Sequence, residues 1–203
     1  MAQDIKRLIG GETKDAIFVA ADSGLAAVIK AGFKPDWVIG DMDSLEDASL
    51  LDAVPPENII KMKHDKDYTD TELAFSLAVE KGCDNIWIIG GGGGRIDHLF
   101  GIRSLFERAI FPNRWTTDSA DIQCIDSEAQ QSEISFSGKH DTPVTVFPLG
   151  AGPWDAESNG LKWPLKGLHW DRGFFSLSNT AVDGAFSVKA RQGRFMVILP
   201  VFN

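Results

Sequence analysis

Four short apolar runs, "AIFVAADSG" (16–24), "DWVIGDMDS" (36–44), "NIIKMKHD" (58–65) and "NIWIIGGGGG" (85–94), each finish in an acidic or glycine-rich tail. This recurring shape constrains the fold more than any other feature of the chain. A near-continuous apolar stretch such as Ile86–Ile89 suits a strand covered on both faces, which parallel sheets require. Helical patterns lie between the runs, as a layered α/β structure demands. "TDTELAFSLAVEKG" (69–82) predicts one helix: Thr69 and Glu72 form a capping box, Leu73, Leu77 and Ala78 share a face, and Gly82 ends it. "DHLFGIRSLFERAI" (97–110) predicts another, with Leu99, Phe106 and Ile110 on one stripe.

After about residue 130 the texture changes. "SEISFSG", "TPVTVFPLG", "GFFSLSNTAV", "AFSVKARQG" and "RFMVILPVF" are strand-like and separated by Gly, Pro and Asp-Gly turns. Phe186, Val188 and Ala190 alternate with Ser187, Lys189 and Arg191, the period of a half-exposed antiparallel strand. Asp183-Gly184 carries a hairpin signal. The expected fold is therefore α/β, an N-terminal parallel-sheet α/β domain over residues 1–130 followed by a C-terminal antiparallel β-sandwich over 131–203. Only a few residues separate "RLIGG" from "IFVAA", too few for a parallel crossover. Either that pair is a hairpin or part of the chain is absent from this sequence.

With 203 residues and a formal charge of −9, the chain can bury a sizeable core but offers no broad footprint for a phosphate backbone, so nucleic acid is not an expected partner. Small anions stay possible, because a metal ion or a few basic groups can reverse the sign locally. The N-terminus lacks the apolar core of a signal peptide, and no apolar run reaches the roughly 20 residues of a membrane span. The two cysteines, Cys83 and Cys124, are far apart and in no metal-ligand spacing. A soluble cytoplasmic protein is the expectation.

Asp41 and Asp43 stand one residue apart in "GDMDS". On extended backbone their carboxylates point to one side, with alpha carbons about 7 Å apart. Like charges so placed repel unless a cation lies between them, and all-carboxylate sites favour a hard ion such as Mg²⁺. A solvated turn, with Asp43 capping a following helix over residues 44–48, explains an isolated pair equally simply. The pair is not isolated. Asp22 ends the preceding run, and Asp65, Asp67 and Asp70 end the next. Carboxyl ends of parallel strands gather on one sheet edge, where ligands bind in such folds. Asp67 and Asp70 could instead serve only the dipole of the following helix. Taken together, the three strand ends favour a metal site.

Five glycines, Gly90–Gly94, follow the fourth run and lead into Arg95-Ile96-Asp97-His98. Glycines admit close approach of a phosphate, and a helix start offers free N–H groups. Arg95 and His98 would add donors on the first turn. A plain flexible loop is the alternative, since the run matches neither a Walker A loop nor G-x-G-x-x-G. Beside the acids, a polyphosphate–Mg²⁺ site and phosphoryl-type transfer fit best.

"AADSG", "GDMDS", "DKDYTDTELA" and "GGGGGRIDHLFG", in that order, with "NGLKWPL" (159–165) and "FSLSN" (175–179), resemble the motif set of thiamine pyrophosphokinases. The likeness runs from about residue 17 to the end. It implies an α/β domain with a β-sandwich, a homodimer, and transfer of the pyrophosphoryl group of ATP to the thiamine hydroxyl, giving AMP and thiamine diphosphate. By position it implies that Asp22, Asp41, Asp43, Asp67 and Asp70 serve Mg²⁺ and the reacting hydroxyl, with Asp41, Asp43 and Asp70 on the metal. It implies that Gly93, Gly94, Arg95, Asp97 and His98 hold ATP, and that Ser176, Ser178, Asn179 and, by a weaker match, Trp163 line the thiamine pocket, completed across the dimer. Trp163 and the hydroxyl and amide groups suit a flat cationic ring, but a Trp in a β-sandwich also suits the core. Three positions depart from the family pattern: Ser23 for glycine, Lys66 for glutamine and Ile102 for asparagine. The rival expectations are a pyrophosphokinase acting on a pterin-type hydroxymethyl acceptor and a non-catalytic nucleotide-binding module.

Overall fold

The structure, a computed structural model, describes residues 15–63, 65 and 67–201. The segment "RLIGG" and the departure at Lys66 lie outside the described residues. The chain divides into two compact units that meet between Ile86 and Trp87.

In the first unit, strands β1 (Val19–Ala21), β2 (Trp37–Gly40) and β3 (Ile59–Lys61) form a parallel sheet in the order β1-β2-β3. Helices α1 (Gly24–Lys30) and α2 (Asp70–Glu80) accompany it, with short 3-10 turns at Ala48–Ala53 and Pro56–Asn58. Ala20, Leu25, Val38 and Val54 form its buried centre, with Val28, Ile29 and Ile59 packed against them. Leu25 and Val38 are fully buried, each contributing about 1.5–3 kcal/mol over an exposed side chain. Asp36 fixes the start of the sheet, since its Oδ2 accepts the Phe18 N–H at 2.8 Å. The capping box of α2 forms as its sequence predicts. The Glu72 N–H donates to Thr69 Oγ1 at 3.2 Å, and the Thr69 N–H donates to Glu72 Oε2 at 3.0 Å.

The second unit contains β4 (Trp87–Ile89), α3 (Ile96–Leu105), β5 (Arg114–Thr116), β6 (Ala120–Asp126), β7 (Glu133–Ser137), β8 (Pro143–Leu149), β9 (Asp155–Asn159), β10 (Ser176–Thr180), β11 (Ala185–Gln192) and β12 (Arg194–Pro200). Six strands form one mixed sheet, β10-β8-β12-β6-β5-β4, and three form an antiparallel sheet, β7-β11-β9. Strand β12 shows why "FMVIL" has no polar alternation. Phe195, Val197 and Leu199 join Phe186, Val188 and Ala190 of β11 in the core between the sheets. Met196 and Ile198 face the other way, into a cluster with Ile102, Phe106 and Trp115. A strand buried on both faces needs apolar residues at every position. Arg194 closes one end of this layer. Its Nε donates to Asp126 Oδ2 at 2.7 Å, and its Nη1 donates to the carbonyls of Phe106 and Arg108, each at 2.8 Å, just past the C-terminus of α3.

The α/β character, the parallel sheet and the sandwich follow the sequence expectation; several details do not. The fourth apolar run pairs in parallel with β5 in the six-stranded sheet, so the described parallel sheet has three strands. Helix α3 stops at Leu105. Phe106 is its buried C-cap, but Ile110 is exposed and off the stripe, because it lies beyond the end of the helix. Asp183-Gly184 does form a tight turn, with Gly184 at φ 73°, yet β10 bonds to β8 while β11 bonds to β7 and β9. That turn crosses between sheets and closes no hairpin. Residue 130, where the sequence turns to β-structure, lies in the connection between β6 and β7. Among the described residues no helix is long and apolar enough to cross a membrane.

Candidate functional site

Two acids of the first unit, Asp22 and Asp70, flank Gly40, the last residue of β2. A methyl group on Gly40 would lie 3.0 Å from Asp22 Cβ and 3.2 Å from Asp70 Oδ1, so these two acids flank the same backbone position. Asp41 follows directly. The order β1-β2-β3 brings this about: β1 ends into Asp22 and β2 into Asp41, while α2 begins at Asp70. Asp22 has φ 47°, a left-handed conformation uncommon outside glycine, asparagine and aspartate, and its N–H donates to the Ile39 carbonyl at 2.9 Å. Such conformations concentrate at functional sites.

The Asp41/Asp43 pair departs from the extended geometry expected of it. Met42 sits at φ 64°, and the Asp43 N–H donates to Asp41 Oδ1 at 3.1 Å, so the segment is a tight turn. No helix spans residues 44–48; a 3-10 turn starts at Ala48, where Asp47 Oδ1 accepts the Ser49 N–H at 2.9 Å. Asp67 is exposed two residues before the cap of α2. Ser44 is a site residue that no local pattern in the sequence signals. Its hydroxyl donates to Asp22 Oδ2, while Asp22 Oδ1 is buried with no hydrogen-bond partner. A buried carboxylate oxygen without a partner is costly, which marks it as an atom open to a cation or an incoming hydroxyl.

Among the described residues no group of three or more His, Cys, Asp or Glu side chains stands ready around one metal position. Mg²⁺ does not require one: it commonly takes one or two carboxylates and completes its shell with phosphate oxygens and water. The all-oxygen donor set and the orphaned Asp22 Oδ1 fit such an ion.

In the second unit the glycine run leaves β4 and enters α3. Gly90 is anchored on both sides: its N–H donates to the Thr116 carbonyl at 2.8 Å and its carbonyl accepts the Trp115 indole N–H at 2.7 Å. A Cβ on Gly92 would fall 2.3 Å from Thr117 Cβ, and one on Gly91 would fall 2.5 Å from Ile102 Cδ1. Gly93 and Gly94 face open space. The first glycines are thus packed from below and the last two are free to meet a ligand. Ile102, the departure from asparagine, is buried and forms part of that floor. Ser23, the other described departure, has φ −55° and ψ −14°, a conformation any residue adopts.

Arg95 is the N-cap residue of α3, with extended backbone. Its Nε donates to Asp97 Oδ1 at 3.1 Å and its Nη2 to Asp97 Oδ2, a two-pronged pair in which both side chains stay mostly exposed. The Arg95 hydrogen bond holds the Asp97 carboxyl well below its ordinary range, at about 2. Asp97 is therefore an anion that aims the guanidinium, and not a proton donor near neutrality. His98 lies on the same first turn.

Residues 176–179 lie on β10, where the register with β8 shifts between Ser176 and Asn179. Ser178 is exposed on the bulge at φ 58°, and bulges commonly re-aim side chains beside active sites. Asn179 is buried, and its amide is occupied by the backbone of "KWP". Its Oδ1 accepts the Trp163 N–H at 3.1 Å, and its Nδ2 donates to the Trp163 carbonyl at 2.6 Å. The Trp163 ring itself is 54% exposed, which removes the core alternative, and Lys162 Nζ lies 4.7 Å from its centroid. Asn179 thus holds out an aromatic face.

A sequence model of the thiamin pyrophosphokinase catalytic domain matches residues 12–114. The chain belongs to the thiamin pyrophosphokinase family. A thiamine pyrophosphokinase of Bacillus subtilis is 27% identical over 175 residues, spanning 81% of this chain and 78% of that one. Thiamine pyrophosphokinase 2 of Arabidopsis thaliana is 28% identical over 179 residues, 80% of this chain and 64% of that protein. The crystal structure of thiamin pyrophosphokinase from Geobacillus thermodenitrificans superposes with a TM-score of 0.74 at 27% identity, covering 98% of this chain and 91% of that one. That of the Bacillus subtilis enzyme has the same fold, with a TM-score of 0.76 at 24% identity and coverage of 96% and 92%. Membership of the thiamin pyrophosphokinase family makes the chain one of a family of enzymes.

Proposed function

We propose that this chain is a cytoplasmic, homodimeric thiamine pyrophosphokinase that transfers the pyrophosphoryl group of ATP to thiamine with Mg²⁺, giving thiamine diphosphate and AMP. One observation carries the proposal: the matched span, residues 12–114, contains both the acids around Gly40 and the glycine run that leads into Arg95. In this proposal residues 1–130 hold ATP and the metal, and residues 131–203 serve thiamine and the dimer.

Asp41, Asp43 and Asp70 would hold the metal, with Asp22, which flanks Gly40 together with Asp70, serving the ion or the reacting hydroxyl. Bound there, Mg²⁺ supplies charge neutralisation of the polyphosphate and polarisation of the β-phosphorus. Gly93 and Gly94 give phosphate oxygens access to backbone N–H groups at the start of α3. Arg95, aimed by Asp97, and His98 add donors on that side. The thiamine hydroxyl oxygen forms a bond to the β-phosphorus, and the bond from that phosphorus to the α,β-bridging oxygen breaks, so AMP leaves with that oxygen. The hydroxyl proton passes to a carboxylate of the set Asp22, Asp41, Asp43, Asp67 and Asp70. Trp163 offers a face for the cationic ring, while Ser176 and Ser178 offer hydroxyls and Asn179 sets the Trp163 backbone.

Incubation with ATP, Mg²⁺ and an acceptor tests this, with products resolved by chromatography. AMP should form with thiamine and neither with a hydroxymethylpterin nor without acceptor. AMP formation with the pterin alone would point to the rival acceptor. ATP binding without AMP from either acceptor would point to a non-catalytic module.

A further inference from the structure

We propose that Ser44 is a positioning residue that decides which oxygen of Asp22 enters the reaction. The inference rests on the assignment of Asp22 to the reacting group made above. Ser44 lies in the turn after β2 and Asp22 at the end of β1, and the Ser44 hydroxyl joins them across 22 residues of sequence by donating to Asp22 Oδ2. The other oxygen, Oδ1, is buried and has no partner. A carboxylate has two nearly equivalent oxygens and turns about its Cα–Cβ and Cβ–Cγ bonds. Two constraints remove that freedom here. The backbone of Asp22 is set in the left-handed region at φ 47°, and its Cβ faces Gly40, where a methyl group would come within 3.0 Å. With Ser44 on Oδ2, the carboxylate presents one defined oxygen, Oδ1, to a cation or an incoming hydroxyl. No other hydrogen bond to the Asp22 carboxylate occurs among the described residues. Ser44 itself is exposed, so a contribution to core packing does not account for it.

Groups that orient a ligating carboxylate typically change metal affinity or turnover 10–100-fold when removed. The test compares wild type with Ser44→Ala, Ser44→Thr and Asp22→Asn. Two readouts are used: steady-state turnover, and binding of Mn²⁺ followed by electron paramagnetic resonance with an ATP analogue whose α,β-bridge is methylene. Ser44→Ala should lower kcat, and weaken Mn²⁺ binding, by about 10-fold or more, with the KM for thiamine little changed and the thermal midpoint preserved. Ser44→Thr keeps a hydroxyl and should recover most of both. Wild-type kcat and Mn²⁺ binding in Ser44→Ala beside an impaired Asp22→Asn would overturn the proposal alone. An unimpaired Asp22→Asn would remove the assignment on which it rests. Failure of Ser44→Thr to exceed Ser44→Ala would also overturn it, because the hydroxyl would then not be the active feature.

Discussion

Gly40→Ala is the sharpest perturbation of the acid group, since the added methyl would enter the space between Asp22 and Asp70. Gly40 has φ 155°, outside the regions that side chains ordinarily adopt. Holding alanine there costs about 1–3 kcal/mol. Contacts of 3.0 Å to Asp22 Cβ and 3.2 Å to Asp70 Oδ1 are tighter than ordinary van der Waals packing, so the acids or the strand must give by a few tenths of an ångström, at a further 1–3 kcal/mol or so. The total loss of stability should be roughly 2–6 kcal/mol by urea denaturation. Activity should fall further than stability explains, because a displacement of about 1 Å in a positioned group can cost 100-fold in turnover. Gly32→Ala provides the control. Gly32 has φ 81° but meets nothing within 4 Å, so it shares the backbone strain without touching an acid. That variant should lose about 1 kcal/mol of stability and keep wild-type kcat/KM when assayed below its transition. The reasoning fails if Gly40→Ala keeps wild-type kcat/KM, or loses no more of it than Gly32→Ala does.

Further expectations concern the second unit and the thiols. Arg194→Met should destabilise by about 3–5 kcal/mol, shown as a lower urea midpoint with unchanged slope, because it removes the ion-pair partner of the largely buried Asp126 and the guanidinium donor to the Phe106 and Arg108 carbonyls. Burial pushes the Cys124 thiol up to about 12, so in a thiol-titration assay at pH 8 Cys83 should react in the native protein and Cys124 only after unfolding. Asn179→Ala frees the Trp163 backbone and leaves its N–H and carbonyl unpaired, so it should raise the KM for thiamine more than 10-fold while leaving that for ATP nearly unchanged.

Legibility of the sequence followed the range of the interactions. The capping box of α2, the parallel sheet and the antiparallel region rest on contacts between near neighbours or on simple periodicity, and those patterns are written into "TDTELA" and the apolar runs. The Asp-Gly turn at 183–184 was legible as a turn but not as a sheet crossing, because its flanking strands find their partners at β8, β7 and β9, far along the chain. Within the candidate site, chain order and parallel topology sufficed to bring Asp22 and Asp70 to Gly40. The role of Ser44 is not legible locally, because only the fold brings its hydroxyl to Asp22, 22 residues away in sequence. The floor of the glycine run was hidden for the same reason: Thr117 and Ile102 matter through contacts that no local spacing encodes. Asn179 matched a motif by position, but its occupation by the Trp163 backbone belongs to the register shift of β10.

The central claim is that the acids around Gly40 drive pyrophosphoryl transfer to thiamine. Phosphorus NMR of ATP, Mg²⁺ and thiamine with wild type and Asp43→Asn, both checked by circular dichroism for an intact fold, tests it most directly. The account predicts AMP and thiamine diphosphate in equal amounts with wild type, and a loss of about 100-fold or more in Asp43→Asn. Release of ADP, or undiminished thiamine diphosphate formation by Asp43→Asn, would contradict it.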